Sequence, residues 1–256
     1  MRAFAAFVKK EFLEQRRTGK LLMLTAVFVL FGIMNPAMAK LTPWLMESFA
    51  ESLAQTGVTI TEYEVTAFDS WAQFFKNLPM ALIVFVLAEC GIFTKEYSKN
   101  TLVLCLTKGL SRRKVMLAKT SVLFFLWTAL YFICFVITYV YSAYFWDNSV
   151  IGSLGFSVFG WWLLGALAVL LISFFSAVFN SNTGVALGIG AVFGGAYFAG
   201  IISPLKEYTP AFLMKTTPLM YAQAESGEYV YAVAVTVFLC VAAIACALLA
   251  FDKKQL

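Results

Sequence analysis

The chain has 256 residues, 61% of them apolar and only 13% charged, with a net charge of +5. Soluble domains run near half apolar and a quarter charged, so this composition and a mean hydropathy of +0.82 exclude that class. The charges are clumped, and several apolar runs between them reach the roughly 20 residues that a bilayer crossing needs. The reading is an all-α membrane protein of six transmembrane helices.

Residues 1–20 mix Phe4, Phe7, Val8 and Phe12 with Arg2, Lys9, Lys10, Arg16, Arg17 and Lys20. On a helical wheel the apolar positions share one arc, on which Glu11 intrudes. That pattern predicts an elbow helix lying in the membrane interface with its bases toward lipid phosphates. A plain basic flank that only sets topology is the alternative. The first span is expected at about residues 21–39, with Asn35-Pro36 near its far end placed to kink or stop it. Ala37-Met38-Ala39 imitates a signal-peptide cleavage site, but the charged stretch before it is unusually long, so the span is read as retained.

Residues 40–70 are polar and net acidic, with Glu47, Glu51, Glu62, Glu64 and Asp69 against Lys40, and read as an outer loop with a short helix around Pro43 to Gln55. The second span, about 71–93, opens with Trp71, Phe74 and Phe75, residues that suit a membrane interface. Glu89 lies inside it and is a translocation candidate, since a carboxyl in a span is functional by default. The rival reading is a carboxylate that snorkels to headgroups or to Lys95.

Residues 94–114 form a basic island with its own helix signals. Asn100 or Thr101 can serve as N-cap, Thr101 to Lys108 is long enough for two turns, and Gly109 can supply the left-handed C′ residue. Lys108 would sit at the negative end of that short helix. Ser111 can cap the next helix, which begins Arg112-Arg113-Lys114 and runs on into the third span, about 115–144. Asp147-Asn148 and the glycines 152 and 155 mark a short outer turn, and the fourth span follows at about 156–179. Residues 180–183 make an inner turn before the fifth span, about 183–202. There Gly184/Gly188 and Gly190/Gly194 have the spacing that lets helices approach closely, within the chain or at a dimer face. Pro204, Pro210 and Pro218 place an outer, partly membrane-dipping segment at 203–228, and the sixth span is about 229–251.

Lysine and arginine set the orientation. Six lie before residue 21, seven between residues 94 and 119, and two in the tail, so fifteen of the 19 fall on one side. The positive-inside rule places both termini and the 94–114 loop in the cytoplasm.

The chemistry of a catalyst is missing. There is no histidine, which removes Ser-His-Asp and Cys-His sites and the common zinc sets, and no Gly-x-x-x-x-Gly-Lys-Ser/Thr phosphate loop. The five cysteines sit in or beside apolar runs without metal-ligand spacing and read as small apolar fillers. No cofactor or metal is expected on this chain, and it is expected not to be an enzyme.

From Glu96 to Lys119 the chain resembles the ABC-type export permeases often called type-2. Glu96, Thr101, Leu102, Leu104, Leu106, Leu110, Ser111, Arg112 and Lys119 match the pattern of their loop between spans two and three, while Asn100 and Gly109 stand where a Gly and a Pro are usual. The resemblance implies that this loop carries a coupling helix docking on a separate ATPase subunit, which holds ATP and Mg. Docking would fall to Glu96, Thr101, Leu102, Leu106, Lys108, Gly109, Leu110, Ser111, Arg112 and Arg113. It also implies a second permease copy or paralogue, a bacterial-type plasma membrane, no nucleic acid partner, and alternating access to a central cavity. The phenylalanine-rich spans favour a hydrophobic or amphipathic cargo such as a peptide, lipid or drug. A stand-alone channel or scaffold whose basic loop binds anionic lipid is the competing reading, and a proton-coupled carrier using Glu89 a weaker one.

Overall fold

The computed structural model describes residues 2–48, 64–98 and 111–254. Among them the ordered elements are helical. α1 (Arg2–Arg17) is followed by α2 (Lys20–Ser48), α3 (Ala67–Glu89), α4 (Gly91–Ser98), α5 (Arg112–Phe145), α6 (Leu154–Val178), α7 (Asn182–Ala199) and α8 (Val230–Lys253), with short 3-10 turns between α7 and α8. Among the described residues, six helical stretches are long and apolar enough to cross a membrane, beginning at Lys20, Ala67, Arg112, Leu154, Asn182 and Ser226. The protein is a multi-pass, all-α membrane protein.

α1 ends where Gly19 takes φ +74°, a left-handed conformation that glycine adopts without a Cβ penalty. The chain then turns directly into α2. Phe7, Glu11 and Gln15, one turn apart, are the buried positions of α1, while Phe12 and Leu13 are exposed. The intruding Glu11 is therefore central to the face that packs on the bundle.

α2 corrects two expectations. It does not stop at Pro36 but continues through Pro36 and Pro43 to Ser48, so the separate helix expected from Pro43 is, as far as Ser48, the end of α2. Residues 49–55 lie outside the described residues. Pro36 has no N–H to offer the carbonyl of Gly32, four residues earlier. Thr138 of α5 supplies the missing donor, its hydroxyl 3.1 Å from the Gly32 oxygen. Asn35 donates to that same hydroxyl at 3.1 Å and accepts from Asn77 of α3 at 2.8 Å. Three helices are thus tied at the proline.

Trp71, Phe74 and Phe75 are buried in the bundle, packed edge-on or tilted against one another, and Trp71 and Phe74 also pack against Phe135. Trp127 lies flat against α6 where a Cβ on Gly165 would enter its ring, and its indole donates to the Trp162 carbonyl at 3.1 Å. α8 packs along α6 through small residues, Ala232, Ala243 and Ala247. α7 is mostly open: Gly190, Gly194 and Gly195 meet nothing within 4 Å. Gly184 and Gly188 do have neighbours, Phe179 and Phe175 of the preceding turn and helix.

The bundle has two polar ends. At one, the indole of Trp71 and the hydroxyl of Ser142 donate to Asn148 at 3.1 and 2.8 Å. Asp147 accepts from the backbone and hydroxyl of Ser149, which hold its pKa below the ordinary value. The segment 203–229 closes this end. Its 3-10 turn Pro210–Met214 buries Ala211, Phe212 and Leu213 against α6 and α8, and Phe212 stacks on Tyr229 at 4.4 Å. The other end gathers α1, both flanks of the 94–114 loop and the tail.

Candidate functional site: a polar collar at the feet of the 94–114 loop

The most unusual charge in the protein is Lys119. Its position in the first turns of α5 buries it to 1% exposure, between the carboxylates of Glu11 at 2.7 Å and Glu96 at 3.2 Å. It also donates to the carbonyl of Ile92 at 3.2 Å. Lys10 completes the group from the rim, 2.8 Å from Glu11, 3.0 Å from Glu96 and 3.1 Å from Glu14. Burial alone would push the Lys10 pKa down, but the hydrogen bonds and charges of Glu11 and Glu96 outweigh it and leave it raised. The carboxylate oxygens of Glu11, Glu14 and Glu96 lie within 4.8 Å of one another, a spacing a cation could use. Lys10 and Lys119 already place two positive charges among them, so the arrangement is a set of ion pairs.

A second buried carboxylate sits next to the first set. Glu89, fully buried, accepts from Gln15 of α1 at 2.6 Å and pairs with Lys20 at 3.4 Å. Lys20 also donates to the carbonyl of Ala88 at 2.6 Å. Glu89 therefore faces the elbow helix and the start of α2.

On the far flank, Arg112 reaches the C-terminal carbonyls of α8: Phe251 at 3.4 Å, Asp252 at 3.2 Å, and Lys254. Those carbonyls lie at the end of the helix and carry its negative partial charge, which a guanidinium complements. Arg113 pairs with the Asp252 carboxylate at 2.7 Å. Lys254 donates to Ser176 and Phe179 carbonyls at the end of α6, at 3.0 and 3.2 Å, and lies 4.0 Å from the Tyr97 ring centre. Burial pushes its pKa down to about 8. Thr94 hydrogen-bonds to Asn182 at the start of α7.

Eight helices are thus tied at one end by polar contacts, and these contacts flank the two points where residues 99–110 leave and return. Of the residues assigned to docking from the sequence, Glu96 is buried in the ion-pair cluster, and Arg112 and Arg113 are bonded to the end of α8. Ser111 takes the N-cap position of α5, though its hydroxyl makes no capping bond. Thr101, Leu102, Leu106, Lys108, Gly109 and Leu110 lie outside the described residues. Sequence reasoning missed Glu11, Gln15 and Lys20 as partners of this site. The available signal was Glu11 itself, a charge on the apolar face of an amphipathic helix.

The collar holds carboxylates neutralised by lysines and arginines bonded to helix ends. It can carry load between helices. A family model described as "ABC-2 family transporter protein" matches residues 5–256. Neither a curated protein nor a solved structure matches the chain.

Proposed function

This chain belongs to the ABC-2 transporter family, and we propose that it exports its cargo with a separate ATPase subunit docked on residues 96–114. The family makes the chain the non-catalytic, membrane-spanning permease subunit. The observation that carries the docking reading is the collar. The loop's two feet are bolted to the elbow helix on one side and to α6 and α8 on the other. A push on residues 99–110 would therefore move several spans as a body, which is what a rocking transition between access states needs. In this reading Leu102, Leu106 and Leu110 supply the apolar contact with the ATPase, with Thr101, Lys108 and Gly109 shaping the short helix between them. Glu96, Ser111, Arg112 and Arg113 hold the frame. ATP and Mg belong to the partner.

The count of lysines and arginines supports a plasma membrane topology with both termini and this loop on the cytoplasmic side. A second permease would pack on the open glycine face of α7. The cargo is hydrophobic or amphipathic, moved by alternating access.

The direct test is co-purification with an ATPase encoded beside this chain. Leu110→Asp is expected to weaken capture of that subunit by about tenfold or more, the range of a central apolar contact, while the detergent-extracted permease keeps its melting temperature. Undiminished capture by that variant would remove the docking role.

A further inference from the structure

Met214 stands between two clefts that the collar does not use. The first, about 310 Å³, lies between α3, α6 and α7 and is lined by Leu82, Val86, Trp161, Ile189, Phe193 and Met214 among others. Its walls are almost wholly apolar, with one exception. Trp161 is 2% exposed, and its indole N–H has no hydrogen-bond partner among the described residues. Buried donors in folded proteins are nearly always paired, so a ligand that brings an acceptor would explain it.

The second cleft, about 340 Å³, is lined by Phe212, Met214, Lys206 and Lys215 among others. The two ammonium groups lie 5.7 and 5.9 Å from the centre of the same Phe212 ring. Both lysines are exposed, and neither forms an ion pair with a carboxylate among the described residues. Glu207, beside Lys206 in the chain, pairs with neither. Two cations lining one cleft give it a positive potential that favours an anion there.

We infer that these adjoining clefts are one site for an anionic amphiphile, a bilayer lipid with an acidic headgroup. One acyl chain fills the apolar cleft, the headgroup meets Lys206 and Lys215, and an ester carbonyl accepts from Trp161. In a bilayer an acyl chain gains little by leaving lipid for an apolar wall, because lipid tails are equally apolar. Retention and selectivity therefore rest on the polar contacts, and the two lysines decide the headgroup. The site deepens the proposed function, and rests on it only where the lipid is taken to be cargo.

The experiment uses the full chain with the ATPase subunit that co-purifies with it, in phosphatidylcholine vesicles. A trace of phosphatidylglycerol with a photoactivatable group in one chain is added, and labelled peptides are mapped by mass spectrometry. Label is expected on residues 186–193 and on Met214, competed by unlabelled phosphatidylglycerol, with a matched phosphatidylcholine probe labelling about tenfold less. Lys206→Gln with Lys215→Gln, at exposed positions, is expected to abolish the headgroup preference. Trp161→Phe is expected to weaken labelling while the preference stays. Equal labelling by both probes, or a preference that survives the double substitution, overturns the site. ATP hydrolysis in the same vesicles separates the two readings. Headgroup-selective labelling without stimulation by phosphatidylglycerol upholds the site and removes this lipid as cargo.

Discussion

An ammonium at 1% exposure is tolerated at Lys119 because two carboxylates and a carbonyl replace the water it has lost. The same logic makes the site unforgiving. Lys119→Met would leave Glu11 and Glu96 buried beside each other with only Lys10 at the rim to offset them, a loss of about 3–5 kcal/mol for a broken buried pair. Adding Glu11→Gln removes one of the stranded charges and is expected to recover part of that loss. Thermal unfolding of the detergent-solubilised protein checks both. A single variant that melts like the parent would show that the cluster carries no stabilising load. Glu89 is built on the same plan with a lighter hand, one lysine at 3.4 Å and one amide at 2.6 Å.

At the scale of single helices, the sharpest case is α2. A proline inside a helix releases one carbonyl and normally kinks or ends it, yet α2 runs on for twelve residues beyond Pro36. The reason sits on another helix: the Thr138 hydroxyl takes the place of the missing N–H. Thr138→Val keeps the shape and removes the donor, and is expected to destabilise by about 1–3 kcal/mol, the cost of a buried carbonyl left unpaired. In a Pro36→Ala background the restored N–H serves Gly32 directly, so the same substitution should cost clearly less. A double-mutant cycle on melting temperature reads the difference, and equal costs in both backgrounds would refute the link. α1 shows the companion effect. Its inward face of Phe7, Glu11 and Gln15 lies on its apolar arc, and partners on α3 and α5 are what allow the two polar side chains to be buried there.

For the molecule as a whole, the two ends are fastened and one side is not. Polar ties close both ends, while α7 exposes Gly190, Gly194 and Gly195 with open space where side chains would be. Gly194→Ile therefore leaves the fold of the single chain unstrained, and its melting temperature is expected to hold. If a second permease packs on that face, cross-linked dimer in detergent should fall about tenfold, because close helix approach depends on small residues. An unchanged dimer yield would place the partner elsewhere. Gly184 and Gly188, which the sequence offers as an equivalent pair, are already used within the chain against Phe179 and Phe175. Identical spacing serves two ends here, and nothing in the spacing tells them apart.

The helical class, the six apolar stretches, the clumping of bases and the lack of a nucleotide loop follow from composition and order alone, because bilayer thickness and backbone hydrogen bonding leave a chain this apolar few options. Glu96 and Lys119 stood out in the sequence as the two ends of one motif. That they meet across Glu11 depends on where α1 folds back, a contact spanning 108 residues that no local pattern encodes. The persistence of α2 through Pro36, the burial of Trp71 and the open face of α7 were likewise decided by neighbours. Local sequence determines which segments become helices. Which face of each is buried, and which charge can be hidden there, is settled only when a partner from a distant segment arrives to satisfy it.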